Sequence, residues 1–141
     1  MTELATAKRC AEKMWASDCA SKALGIEIEI TEAGSATARM LVREDMVNGF
    51  DVCHGGLLFA LADTAFAFAC NAYNRVTVAG SASIEFLRPA MLGDQLCAVA
   101  AEEHRGRKSG YYTVRVENED GRLVALFRGR SVSPDSSQDA G

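Results

Sequence analysis

The sequence predicts an α+β fold: a curved, largely antiparallel sheet wrapped around a long buried central helix, with an amphipathic helix at the N-terminus. Three observations carry this. The run from Gly55 to about Ala72 is apolar on every side of a helical wheel, as in helices enclosed by protein. Only strand-like segments follow it, joined by short connections that favour antiparallel neighbours. A helix of that kind needs cover on more than one face, which a curved sheet supplies in part and a second subunit completes.

The elements follow in order. Leu4, Ala7, Ala11, Met14, Trp15 and Cys19 recur at helical spacing, with Lys8, Arg9, Glu12, Lys13 and Asp18 on the other face, so a first helix runs to near Gly25. Ile26, Ile28 and Ile30 alternate with Glu27, Glu29 and Thr31, a half-buried strand. Ala36, Ala38, Met40 and Val42 give a second strand after an Ala33-Gly34 turn. Residues 44–54 form a loop with an Asn48-Gly49 turn signal. After the apolar helix, strands are expected over Val76–Leu87, stopped by Pro89, and over Gln95–Glu103. Tyr111–Glu117 and Leu123–Val132 make a hairpin around Asn118-Glu119-Asp120-Gly121. Residues 1–132 read as a single domain and 133–141 as a polar, frayed tail.

Composition narrows the function. Of 141 residues, 48% are hydrophobic and 24% charged, as in a globular protein in water. The apolar helix is too short for a membrane span and carries a charge at its middle. No apolar signal core precedes the mixed charges at the N-terminus, so a cytoplasmic location is expected. The net charge of −4 sets up no global attraction for nucleic acid. Five cysteines without Cys-x-x-Cys spacing argue against a disulfide framework or a zinc site, and only His54 and His104 are left as metal ligands. No metal or cofactor is expected.

Asp63 is the lone charge between Leu57 and Cys70, and no Lys or Arg lies from Asp51 to Asn74. An ionised carboxylate in such a helix calls for a partner, a shifted pKa or a functional role. The bland alternative is an ion pair with Arg88 or Arg75. Gly55 and Gly56 open the helix, where first-turn N–H groups lack intrahelical partners and carry the positive end of the helix dipole. Such N–H groups stabilise charge developing on a carbonyl oxygen. The eight residues from Gly55 to Asp63 span roughly 12 Å of helix, too far for both to touch one carbonyl within a chain. A two-fold dimer with antiparallel helices brings Gly55 of one chain to Asp63 of the other.

The run Asn48-x₅-His54-Gly55-Gly56-x₆-Asp63 resembles the hotdog-fold acyl-CoA thioesterases of the phenylacetate-pathway (PaaI-like) branch, and Ser83-Ile84-Glu85-Phe86-Leu87-Arg88-Pro89-Ala90 resembles that family's strand after the helix. The resemblance spans most of residues 20–132. It implies the hotdog fold, hydrolysis of an acyl-CoA such as phenylacetyl-CoA or its hydroxylated form, and a homodimer with shared active sites assembled as a dimer of dimers, a homotetramer. Asp63 would be the nucleophile or the base that activates water. The Gly55 amide would polarise the thioester carbonyl, Asn48 would position the nucleophile or thioester, and His54 would orient the loop or contact the thioester. Ser81 would sit beside Asp63 and hold the water. Structural alternatives exist for each: a turn residue at Asn48, a backbone-bonded helix start at His54, close packing at Gly55 and Gly56, and an ordinary strand residue at Ser81. Cys53 beside His54 suggests a thiol nucleophile, although adjacent residues seldom form a working pair.

Arg105, Arg107 and Lys108, lying between two expected strands, form either a solvated turn or a clamp for the phosphates of coenzyme A, to which Arg88 could add. A dehydratase or hydratase using His54 and Asp63 is the enzymatic rival. A non-catalytic acyl-CoA binding module is the other, disfavoured by the lack of a DNA-binding segment.

Overall fold

The computed structural model describes residues 1–134. The last seven residues, most of the expected tail, lie outside the described part. Ser133 does not fray: its N–H donates to the Lys108 carbonyl at 2.8 Å.

The N-terminal helix is two helices, α1 (Glu3–Ala16) and α2 (Cys19–Ala23). Thr2 caps the first through a bond from the Ala5 N–H. The expected single helix breaks at Ser17-Asp18 because the Asp18 carboxylate accepts from both the Ser21 N–H at 3.0 Å and the Ser21 hydroxyl at 2.7 Å. A side chain that binds the backbone this way starts a new helix.

Strands β1 (Glu27–Glu32) and β2 (Ser35–Leu41) come next, then a single 3-10 turn over Glu44–Met46. Helix α3 spans Gly55–Cys70. Strands β3 (Val78–Phe86), β4 (Gln95–Arg105), β5 (Ser109–Glu117) and β6 (Leu123–Val132) complete the fold. All six form one sheet in the order β1-β2-β4-β5-β6-β3, with every neighbouring pair antiparallel. The chain leaves β2, runs along the sheet as α3, and re-enters at the far edge as β3. That crossover seats the apolar helix in the concave face.

The seating follows from side-chain size. Ala62, Ala65 and Ala69 let α3 approach the sheet, where Ala38, Ala98 and Ala100 are equally small and fully buried. Phe66 fills the space left over. Its ring lies 5.5 Å from Tyr112 and 5.7 Å from Phe127, centroid to centroid, and faces Gly129. A Cβ on Gly129 would stand 2.8 Å from the Phe66 ring, which Tyr112 and Phe127 keep from moving aside. Gly129→Ala is therefore expected to destabilise by about 1–3 kcal/mol through overpacking. A lower urea midpoint with an unchanged slope is the signature to measure. Helix α1 lies on one side, with Ala7 and Cys10 buried and Trp15 reaching Phe68.

One stripe of α3 is left open. Ala60, Asp63, Thr64 and Ala67 are half-exposed, at the three- and four-residue spacing of a single helix face. The helix is apolar all round, yet the described residues cover only part of it. No helix among the described residues is long and apolar enough to cross a membrane.

Candidate active site

The loop before α3 is organised by Asn48. Its side-chain oxygen accepts from the Phe50 N–H at 2.9 Å and the Val52 N–H at 3.4 Å, while its own N–H donates to the Val52 carbonyl. Asp51 takes a positive φ of 61° to close this turn. The turn role is thus real. It occupies the Asn48 side-chain oxygen and leaves the amide NH₂ as the group able to reach a ligand.

His54 is the N-cap of α3. Its Nδ1 accepts from the Gly56 N–H at 2.9 Å, so Nδ1 is unprotonated and any ring proton sits on Nε2. The Gly56 donor is thereby consumed. The Gly55 N–H donates to nothing among the described residues, and it points out of the helix start with the positive end of the dipole. A Cβ on Gly55 would lie 3.2 Å from the Phe86 ring, so glycine permits this close approach of β3 to the helix start. In the sequence, Phe86 reads as an ordinary strand residue, with nothing to mark its contact with Gly55.

Asp63 lies two turns further on, half-buried in the open stripe of α3. Among the described residues it makes no hydrogen bond and no ion pair. Burial alone pushes its carboxyl pKa above the ordinary aspartate value of 3.8. The ion pair with Arg75 or Arg88 does not form. Arg75 faces a different cavity, and Arg88 is exposed past the end of β3. Cys53 is buried with its thiol pKa raised by burial, and its Sγ contacts the His54 carbonyl at 3.7 Å, which disfavours it as a thiolate nucleophile.

Ser81 corrects one expectation. A bulge between Ala79 and Ser81 shifts the register of β3, so Ser81 pairs with Arg130 and Ala82 pairs with Gly129, the residue under Phe66. Side chains alternate along a strand, so Ala82 faces α3 and Ser81 points to the outer face. There it lines an open cleft with Arg128 and Arg130. Ser81 is not beside Asp63 of its own chain.

The basic run occupies the β4–β5 hairpin. Arg105, exposed, stacks its guanidinium 3.7 Å over the Tyr73 ring, a contact that orients it and leaves its in-plane N–H groups unengaged by the stack. Tyr73 and Tyr112 both donate to Glu102 Oε1, at 2.8 and 2.9 Å, so this end of the sheet is cross-braced. Arg107 and Lys108 are exposed. Arg88 cannot join them within one chain. The hairpin adjoins Val132, opposite Val78 at the start of β3, whereas Arg88 follows its end, roughly 26 Å away along the strand.

The comparisons agree with this architecture. The thioesterase superfamily matches residues 50–125, from the turn before α3 into β6. The acyl-coenzyme A thioesterase PaaI of Escherichia coli strain K12 is 46% identical over 121 residues, 86% of each chain. A putative esterase of Archaeoglobus fulgidus is 34% identical over 122 residues, 86% of this chain and 79% of that one. The solved structure of the E. coli PaaI protein, from the phenylacetic acid degradation operon, superposes with a TM-score of 0.93 at 42% identity, covering 95% of this chain and 97% of the other. The TT0310 protein of Thermus thermophilus superposes with a TM-score of 0.76 at 38% identity, over 79% and 94%. A helix opened by a free glycine N–H, an unpaired aspartate two turns on and this shared fold place the chain in the thioesterase superfamily, among the hotdog-fold acyl-CoA thioesterases of the PaaI-like branch.

Proposed function

We propose that this protein hydrolyses arylacyl-CoA thioesters, phenylacetyl-CoA or hydroxyphenylacetyl-CoA, to the free acid and coenzyme A in the cytoplasm. The observation that carries the reading is Asp63: a half-buried carboxylate without a partner among the described residues, on the uncovered stripe of a helix whose first N–H is also unpaired among them. The 46% identity to a relative named as an acyl-coenzyme A thioesterase supports the substrate class.

The site is completed by a second chain. β3 is an edge strand of nine residues, exposed along almost its whole length. Val78, Phe86 and Leu87 on and just past it are exposed, and Phe50 in the loop before α3 is 87% exposed. A long, apolar, uncovered edge invites pairing with another strand. Antiparallel pairing of two β3 strands about a two-fold axis also covers the open stripes of the two α3 helices. It sets Gly55 of one chain against Asp63 of the other. The same operation carries Arg88 to the end of the partner sheet that holds the basic hairpin. Two such dimers then associate as a tetramer.

In this arrangement the Gly55 N–H donates to the thioester oxygen and stabilises the negative charge that develops there. Asp63 acts ionised, either taking a proton from the attacking water or attacking the carbonyl carbon to give an anhydride that water opens. The carbon–sulfur bond breaks, and coenzyme A leaves as a thiolate needing no strong acid. His54 holds the helix start through Gly56, and Asn48 presents its NH₂ to the thioester. A hydratase would need His54 Nε2, the nitrogen the cap leaves free, at the reacting carbon, so His54→Ala would abolish its activity and should only impair hydrolysis here. An acyl-CoA panel read by free-thiol release tests the assignment. Fastest turnover on arylacetyl-CoA is expected, and no thiol release from any acyl-CoA refutes it.

Arg107 and Lys108 are assigned to the coenzyme A phosphates. Replacing both with Ala removes a contact present in ground and transition states alike, so a higher KM with kcat nearly unchanged is expected. The effect should vanish with a short thioester that lacks the nucleotide. Equal loss on both substrates would instead mean that the hairpin supports the fold.

A further inference from the structure

Arg75 stands in the loop between α3 and β3. Its Nη1 donates to the Arg107 carbonyl at 3.2 Å. Its Nε and Nη2 are buried and donate to nothing among the described residues. None of the ion pairs among those residues includes it. Glu102, whose Oε1 accepts from the Tyr73 and Tyr112 hydroxyls of the cavity wall, makes no ion pair with Arg75. Two guanidinium nitrogens buried without an acceptor are costly and call for one beside them.

The guanidinium lines a cavity of about 20 Å³, walled also by Thr77, Ser109, Ser131 and Ser133. This is room for one small body, a water or a monoatomic anion. A phosphate, a sulfate or a nucleotide does not fit. Thr77 Oγ1 donates to the Arg75 carbonyl at 3.1 Å and lies 3.3 Å from Ser133 Oγ, whereas Ser131 only weakly engages the Gly110 carbonyl at 3.5 Å, so the serine hydroxyls of the walls can rotate to donate. Water in this space would accept from Arg75 but add no charge opposite the Arg75 and Arg105 guanidiniums, both of which line the cavity. A monoatomic anion accepts from several donors at once and cancels the charge.

We propose that Arg75 holds one halide-sized monovalent anion in this cavity, tying the α3–β3 loop to the β4–β5 hairpin and the end of β6. The assignment rests on Arg75 and its cavity and is independent of the thioester chemistry.

Thermal unfolding of the whole protein in sodium chloride or bromide, against sodium gluconate at equal ionic strength, tests it. Gluconate is too large to enter. Binding to the folded state alone predicts a saturable Tm rise of about 3 °C in halide. Arg75→Met should melt at one temperature in both salts. Bromide-soaked crystals of the unaltered protein should show an anomalous peak beside Arg75 Nε and Nη2. Because the crystal needs no substitution, it decides the matter even if Arg75→Met does not fold. Equal Tm values in the two salts for the unaltered protein, a halide response that survives in Arg75→Met, or water without anomalous signal in the cavity would each overturn the proposal.

Discussion

Asp63→Asn should lower turnover of the preferred acyl-CoA by roughly a hundredfold or more while leaving the fold intact, because it preserves shape and removes the basic oxygen. The same substitution should raise thermal stability at neutral pH. Burial lifts the Asp63 pKa above 3.8 in the folded state. An acid raised in this way favours folding when protonated, and that contribution is lost as pH rises through the folded pKa. The neutral Asn carries no such penalty above it. The acid limb of kcat/KM in the unaltered enzyme should accordingly lie above the ordinary aspartate range. Stopped-flow thiol release and calorimetry on the purified variant check both halves. Near-normal turnover would remove Asp63 from the chemistry.

Mixing two dead variants should restore activity. Asp63→Asn disables one side of the shared site and Asn48→Ala the other. Random re-association of equal amounts makes half the dimers mixed, each with one intact site, so about a quarter of wild-type activity is expected. Each variant alone stays near zero. Subunit exchange is verified first by native mass spectrometry. If the mixture stays inactive after exchange, Gly55 and Asp63 do not act across an interface.

Much of this was legible in the chain. The alternation of Ile26, Ile28 and Ile30, and the spacing of the later apolar residues, placed all six strands because period-two burial leaves a direct trace. Asp63 stood out as the single charge of an apolar helix, and it has no ion pair or hydrogen bond among the described residues. The break at Ser17-Asp18 was hidden because it depends on one carboxylate binding backward-facing donors on Ser21, while the apolar period runs straight through it. Ser81 was misplaced because distance along the chain from Asp63 carries no information about a β-bulge, and one extra residue turns a side chain to the other face. Arg88 and the basic hairpin look close in function but stand at opposite ends of one strand.

The sequence by itself determined the class of fold, the order of its elements and the chemistry of the helix start. Hydrophobic periodicity, glycine and a lone carboxylate are local properties that packing does not rewrite. Only the tertiary structure decided which strand became the free edge, that β3 sits beside β6 rather than next to β2, and which residues share a face. It also decided that Arg105 stacks on Tyr73 while Arg75 faces a small polar cavity. Those outcomes depend on contacts between residues tens of positions apart. Such contacts are set by how α3 crosses the sheet, and no spacing along the chain encodes that crossing.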